Sequence, residues 1–397
     1  MGELSGTTIS GTNLAADATA RSKPPKPAPS DGDDMTRHGV AFDEKHSVEE
    51  QSDIKERTGV LNIIESDSLF LGGRTHVEGT NRWGLVGSGD TTIRTPKRGF
   101  AMPLTLRISH GLVLDDLTFD LRDDRETGMG VNAAAGDALE LHNLRFVGKQ
   151  TDEERAPGFE GGTGMENLLP HVTSDDGTGH VSNLEITAHG EVRDYPTGCI
   201  PVYMGPSHRG TLHVDDPHIE TSAMHTFYAS RTRGEVHVDG GLLKNNSNTN
   251  MRLSGRSTVK NAKVVLDAPR DRFVVPGEHT RSGEDEGQST EGIWWERMKW
   301  NGSSGGLIEN VDLEVTSEVP GQGLIQIDGS CGEVTIRDCD LYNTTDDYHN
   351  IMVDEVGSNV RDIEPPGADW VRVEGCSLSG SGRRPLVKDH RGTVEVS

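Results

Sequence analysis

Residues 198–255 read GCIPVYMGPSHRGTLHVDDPHIETSAMHTFYASRTRGEVHVDGGLLKNNSNTNMRLSG. The stretch holds two and a half copies of one unit. Each copy opens with a short apolar strand carrying an aromatic residue or Arg: Val202-Tyr203-Met204, Phe227-Tyr228-Ala229 and Met251-Arg252-Leu253. A polar turn leads to a second strand ending in Asp or Gly, Val214-Asp215-Asp216 and Val238-Asp239-Gly240. A third short apolar segment closes the unit. Short strands joined by tight bends predict coil stacked on coil.

The same pattern extends in both directions as apolar–x–Asp/Asn/Gly–x–x–apolar. The bend position is Asp116, Asn143, Asn183, Asp216, Gly240, Asn261, Asn310, Asp338 and Gly375. Successive bends lie 27, 40, 33, 24, 21, 49, 28 and 37 residues apart, which excludes a strict helical repeat and fits a solenoid with loops of variable length. Asp, Asn and Gly tolerate left-handed backbone angles best, so they mark the corner between two strands. No coil can bury its apolar face alone, and stacked coils stabilise one another. The residue after the bend should face the core. In the last two copies it is Cys339 and Cys376, read as stacked thiols at a spacing a disulfide could also span.

The fold class expected is all-β: a right-handed single-stranded parallel β-helix, a solenoid of about ten coils, over residues 59–397. Residues 1–58 read as a disordered or partly helical N-terminal tail. They include the run Lys23-Pro24-Pro25-Lys26-Pro27 and a charged segment from Asp43 to Arg57 that could form one exposed helix.

Composition bounds the function. Asp and Glu number 64 against 39 Lys and Arg, a formal charge of −25. Only 11 of the 39 cations are Lys, leaving 39 − 11 = 28 Arg. Such a chain is ill suited to neutralising phosphates, so no nucleic-acid partner is expected. Its self-repulsion is screened in molar salt, where the Debye length is about 3 Å, and low Lys with excess acid points to a protein adapted to concentrated salt. No apolar run approaches the roughly 18 residues of a membrane span, and no membrane insertion is expected. The four cysteines match no zinc motif. No signal peptide is visible, which leaves a cytoplasmic location open.

The repeat resembles the right-handed parallel β-helix of the pectate-lyase-like superfamily, and within it the β-helix repeat proteins of halophilic archaea and their viruses. The matching residues are Trp83-Gly84-Leu85-Val86-Gly87, Tyr203 to Leu212, Tyr228-Ala229-Ser230, Asn245-Asn246 with Arg252-Leu253-Ser254-Gly255, and Gly292-Ile293-Trp294. The superfamily includes polysaccharide lyases, glycoside hydrolases and phage tailspikes. The resemblance carries over no catalytic set. The lyase pattern Arg-x-Pro-x-x-Arg is missing, since Arg94-Thr95-Pro96-Lys97-Arg98 matches it only in part. The Asp115-Asp116 and Asp215-Asp216 pairs fall in the bend motif and read as turn residues. His189-Gly190 is too short a match to count. No motif supports calcium, and no cofactor is expected.

The residues between inward-facing apolar positions of the first strand should point outward: Tyr203, Tyr228, Arg252, Trp294, Gln326 and Met352. Stacked, they would form one external stripe, with His225, Arg231, Glu296, Arg297 and Asp328 nearby in sequence. Aromatic faces suit sugar rings, and Arg suits carboxylate or sulfate. The expected ligand-binding residues are Tyr203, Tyr228, Arg231, Arg252, Trp294, Glu296, Arg297 and Asp328. The expected function is an extracellular or virion-surface β-helix that binds a polysaccharide or surface glycoprotein. The N-terminal tail would serve assembly into a virion, cell surface or homo-oligomer. The alternative is a lyase or hydrolase of acidic polysaccharide. The polar insertion at 270–291 is expected beside Ile293-Trp294-Trp295, and Asn245, Asn301 and Asn343 open glycosylation-type triplets.

Overall fold

The computed structural model describes residues 35–95, 102–122, 130–148, 166–187, 200–222, 224–269, 290–298, 303–319, 321–346, 348–357, 363–382 and 384–397. Three ladders of parallel strands run the length of the solenoid. The first sheet has eleven strands, from Thr75–Thr80 through Ile200–Tyr203, Phe227–Tyr228, Thr249–Leu253, Glu291–Trp295, Gly323–Ile327 and His349–Val353 to Val387–Asp389. The second sheet includes Thr211–Asp215, Glu235–Asp239 and Val334–Arg337, and the third His218–Glu220, Leu242–Lys244 and Asp340–Asn343. Every strand in these ladders pairs with its equivalent one coil on. Near the start, Trp83–Arg94, Leu112–Asp120 and Leu139–Val147 turn the corner from second to third sheet as continuous strands, so those two ladders are joined there. This is the expected parallel β-helix.

All nine bend residues adopt the left-handed conformation, with φ from 49° at Asp216 to 74° at Gly240. The corner is further tied by amide side chains reaching from coil to coil, Asn183 Nδ2 to Asn143 Oδ1 at 3.0 Å and Asn310 Nδ2 to Asn261 Oδ1 at 2.7 Å. Inside, register turns the repeat into columns. Leu168, Val202, Phe227, Met251, Ile293, Ile325 and Ile351 pair successively and are all buried. Burial of each such side chain stabilises the fold by about 1.5–3 kcal/mol. Phe119 and Phe146 stack at 4.6 Å in the third-sheet column. Leu117, Leu144, Ala262, Val311 and Cys339 are buried after the bend, as their spacing requires.

The ladder starts earlier than residue 59. Glu44–Val48 pairs in parallel with Val60–Ile64, and only one 3-10 turn, Gln51–Asp53, lies between them. The charged segment therefore forms a coil edge and no long helix, because alternating Lys45, Ser47 and the inward Val48 fit a half-buried strand. Ahead of it, Thr36–Arg37 and Val40–Ala41 form a hairpin. Its Val40 and Phe42 cover the outward apolar patch of Leu61, Val86 and Val113. The expectation of a flexible segment over residues 1–34 lies outside the described residues.

Asp115 and Asp116 part company. Asp116 is the bend, whereas Asp115 is fully buried beneath the hairpin. It accepts from His38 Nε2 at 3.0 Å and Asn143 Nδ2 at 2.8 Å, and pairs with Arg37. Burial alone would raise its pKa, but the hydrogen bonds and the Arg37 charge hold it down at about 2. Asn245 and Asn343 are buried and hydrogen-bonded within the fold, which disfavours their use as glycosylation acceptors. Asn301, His189-Gly190 and positions 96–98 lie outside the described residues, as does the insertion from 270 to 289.

Candidate functional site

The outward row of the first sheet stacks in register: Tyr203 beside Tyr228, then Arg252, Trp294, Gln326 and Met352. The centre of the row is covered. Tyr228, Arg252 and Gln326 are at most 8% exposed, while Tyr203, Trp294 and Met352 remain half-buried. The stripe expected to be external is therefore accessible only in part, because its long side chains lie over one another.

Arg252 is the hub. Its guanidinium lies 4.7 Å from the Tyr228 ring centre and 4.1 Å from that of Trp294, a cation between two π faces. Its Nε donates to Glu296 Oε2 at 2.5 Å, and Ser230 Oγ donates to the same oxygen at 2.9 Å. Its Nη1 lies 2.7 Å from His225 Nε2. A guanidinium only donates, so His225 Nε2 accepts and the ring proton sits on Nδ1. Burial, with the charges of Arg252 and Arg231, keeps His225 neutral, its pKa well below the ordinary value. Arg231 also lies over the Tyr228 ring, 4.8 Å from its centre, and Tyr203 meets that ring edge-on at 5.5 Å.

Two N–H donors in this cluster, His225 Nδ1 and Trp294 Nε1, are buried and lack a hydrogen-bond partner among the described residues. An unpaired buried donor costs about 1–3 kcal/mol. Neither meets an acceptor among the described residues, and both atoms are closed to solvent.

A second outward row follows the strands. Trp295 pairs with Ile327 and Ile327 with Val353, which brings Glu296, Asp328 and Asp354 onto successive coils. Asp328 Oδ1 accepts from the Ser330 amide at 2.8 Å, and Asp354 Oδ2 from Gln326 Nε2 at 2.9 Å. Burial raises the pKa of Asp354, and the Asp328 charge adds to the shift. Two further carboxylates of the first sheet, Glu166 and Glu291, are buried. Burial raises each to about 7, and Glu291 accepts from Thr249 Oγ1 at 3.0 Å.

Arg297 serves the scaffold. Its Nε donates to the Ser330 carbonyl at 3.0 Å and its Nη2 to that of Glu364. Of the eight expected residues, Tyr203, Tyr228, Arg231, Arg252, Trp294 and Glu296 form one cluster. Asp328 joins it through the carboxylate row. Asp354, Glu291 and Glu166 were missed. Asp354 had a signal, since Met352-Val353-Asp354 repeats Gln326-Ile327-Asp328 one coil on. The carboxylates stand in line along the solenoid, and among the described residues no group of three or more His, Cys, Asp and Glu is arranged to hold a metal ion.

No family model and no curated protein matches this chain. Among solved structures it is similar to the A-module of the mannuronan C-5 epimerase AlgE4 of Azotobacter vinelandii, at 12% identity and a TM-score of 0.35, over 85% of this chain and 86% of that one. The fold assignment rests on the strand register.

Proposed function

We propose that the outer face of the first sheet binds a glycan, with Tyr203 and Trp294 as platforms for sugar rings. The observation that supports this most is the pair of half-exposed rings, Tyr203 and Trp294, flanking the Tyr228–Arg252 stack on one sheet face. The apolar C–H faces of sugar rings stack on such aromatic surfaces. Arg252 is already paired with Glu296, so in this reading it orders the platform, and Arg231 is the cation nearer the ligand. The chain would then act as a spike-like or adhesin-like β-helix, extracellular or on a virion, in concentrated salt. The test is retention on immobilised acidic and neutral polysaccharides at molar salt. Trp294→Ala and Tyr203→Ala should each weaken binding at least tenfold with the far-UV dichroism unchanged; unaltered retention would overturn the reading.

A second reading, polysaccharide cleavage, is favoured by the row Glu296, Asp328 and Asp354. Coils are spaced by about 4.8 Å, so neighbouring carboxylates fall near the roughly 5 Å of retaining hydrolases and alternate ones near the roughly 9.5 Å limit of inverting ones. New reducing ends or unsaturated uronate, lost in Asp328→Asn, would establish it. A broad substrate panel without either product would sink it.

A further inference from the structure

The last full coils contain a pair of thiols placed for chemistry that the glycan face does not use. Asp340 pairs with Ser377 in the third sheet, so Cys339 and Cys376, each one residue earlier, stand on adjacent coils. The Asp338 amide donates to the Glu374 carbonyl at 2.9 Å and the Ser377 amide to the Cys339 carbonyl at 2.8 Å, which holds this register on both sides of the pair. Neighbouring parallel strands are separated by about 4.8 Å, inside the roughly 4.4–6.8 Å Cα range of disulfides. The two thiols are close enough to influence one another's ionisation. Both thiols are free. Each also points at backbone carbonyls, Cys339 Sγ at Arg337 O (3.1 Å) and Cys376 Sγ at Glu374 O (3.4 Å).

Their environments differ in a useful way. Cys339 is buried, whereas Cys376, packed against the core, is only half-buried. The neighbouring Cys339 brings the Cys376 thiol down to about 7, against burial, while Cys376 and burial push Cys339 up. Cys331 is an internal contrast: it is buried, with its thiol pushed up to about 12 by burial.

We propose that Cys339 and Cys376 are a redox site, converted by a small-molecule disulfide into an intramolecular disulfide that staples the last coils of the solenoid. The Cys376 thiolate attacks one sulfur of the reagent, forms a mixed disulfide and expels one reagent thiolate. Cys339 loses its proton to solvent and attacks Cys376 Sγ, expelling the second. Two protein thiols and one reagent disulfide become one protein disulfide and two reagent thiols. The bond would link Val371–Glu374 and Ser377–Gly380 covalently to the coil before them.

The test uses the full chain at molar salt with oxidised glutathione. Peptide mapping should show a Cys339–Cys376 cross-link, loss of both of these thiols, no glutathione retained on either, and Cys331 unmodified. The melting midpoint should rise by several degrees and return on reduction. Cys339→Ser should trap glutathione stably on Cys376, since the resolving thiol is gone. Retention of glutathione on Cys376 of the unmutated protein, a cross-link joining Cys339 or Cys376 to another cysteine, unchanged Cys339 and Cys376 thiols, or no adduct on Cys376 in Cys339→Ser would each overturn the proposal.

Discussion

Arg252 and Glu296 form an ion pair of 2.5 Å on the outward face of the first sheet, although their side chains are only 10% and 3% exposed. They lie one coil apart, and the pair is sealed by Tyr228 and Trp294. Removing one partner leaves a charge stranded away from water, which costs roughly 3–5 kcal/mol. Glu296→Ala should therefore lower the urea midpoint strongly, and the double change Arg252→Met with Glu296→Leu should recover most of that loss. A single variant as stable as the unmutated protein would show that the pair is solvated.

Stability should respond to pH through groups of opposite sign. Glu166 and Glu291 titrate near 7 in the fold, against an ordinary 4.5. The fold binds the extra protons, so their contribution is full below pH 4.5 and is lost as pH rises through 7, by roughly 3 kcal/mol per group. His171 and His208 work the other way, since burial depresses them to about 3 and about 4 from 6.5. Their contribution is full above 6.5 and is lost as pH falls. The two effects offset one another, so the informative quantity is a difference. Glu291→Gln should become progressively more stable relative to the unmutated protein from pH 4.5 to 7; a flat difference would contradict the assignment.

Asp115 fastens the N-terminal hairpin to the second sheet through Arg37 and His38. Asp115→Asn should cost about 2 kcal/mol by weakening charge-assisted bonds. It should also speed proteolysis between residues 36 and 42. In the unmutated protein the Asp115 contribution is present above its ordinary 3.8 and is lost as pH falls through about 2. Cleavage at an unchanged rate would mean that the apolar contacts of Val40 and Phe42 hold the hairpin alone.

The charge of −25 should make the β signal salt-dependent. Dialysis from molar salt to about 10 mM, where the Debye length is about 30 Å, should erode the far-UV β spectrum reversibly. An undiminished spectrum would contradict adaptation to concentrated salt.

The architecture was legible because its determinants are local. A bend such as Asn261 or Asp338 selects the left-handed angle within its own residue, and the alternation beside it selects which side chain turns inward. Nine repetitions therefore specified corners, columns and the outward row from Tyr203 to Met352. The start of the ladder at Glu44 was less legible, because a charged half-buried strand carries little periodic signal over five residues.

What only the tertiary structure decided is the state of the side chains on that row. Strand alternation places Arg252 outward, but its burial between Tyr228 and Trp294 depends on neighbours 24 and 42 residues away in sequence. The same is true of Asp115, which reads as half of a bend and is sealed by His38 from the far end of the described chain. Backbone path in this protein follows from short-range preference repeated many times. Exposure, ionisation and the availability of a donor such as His225 Nδ1 depend on which loops and coils come together, because dielectric environment and hydrogen-bond partners are properties of the assembled surface.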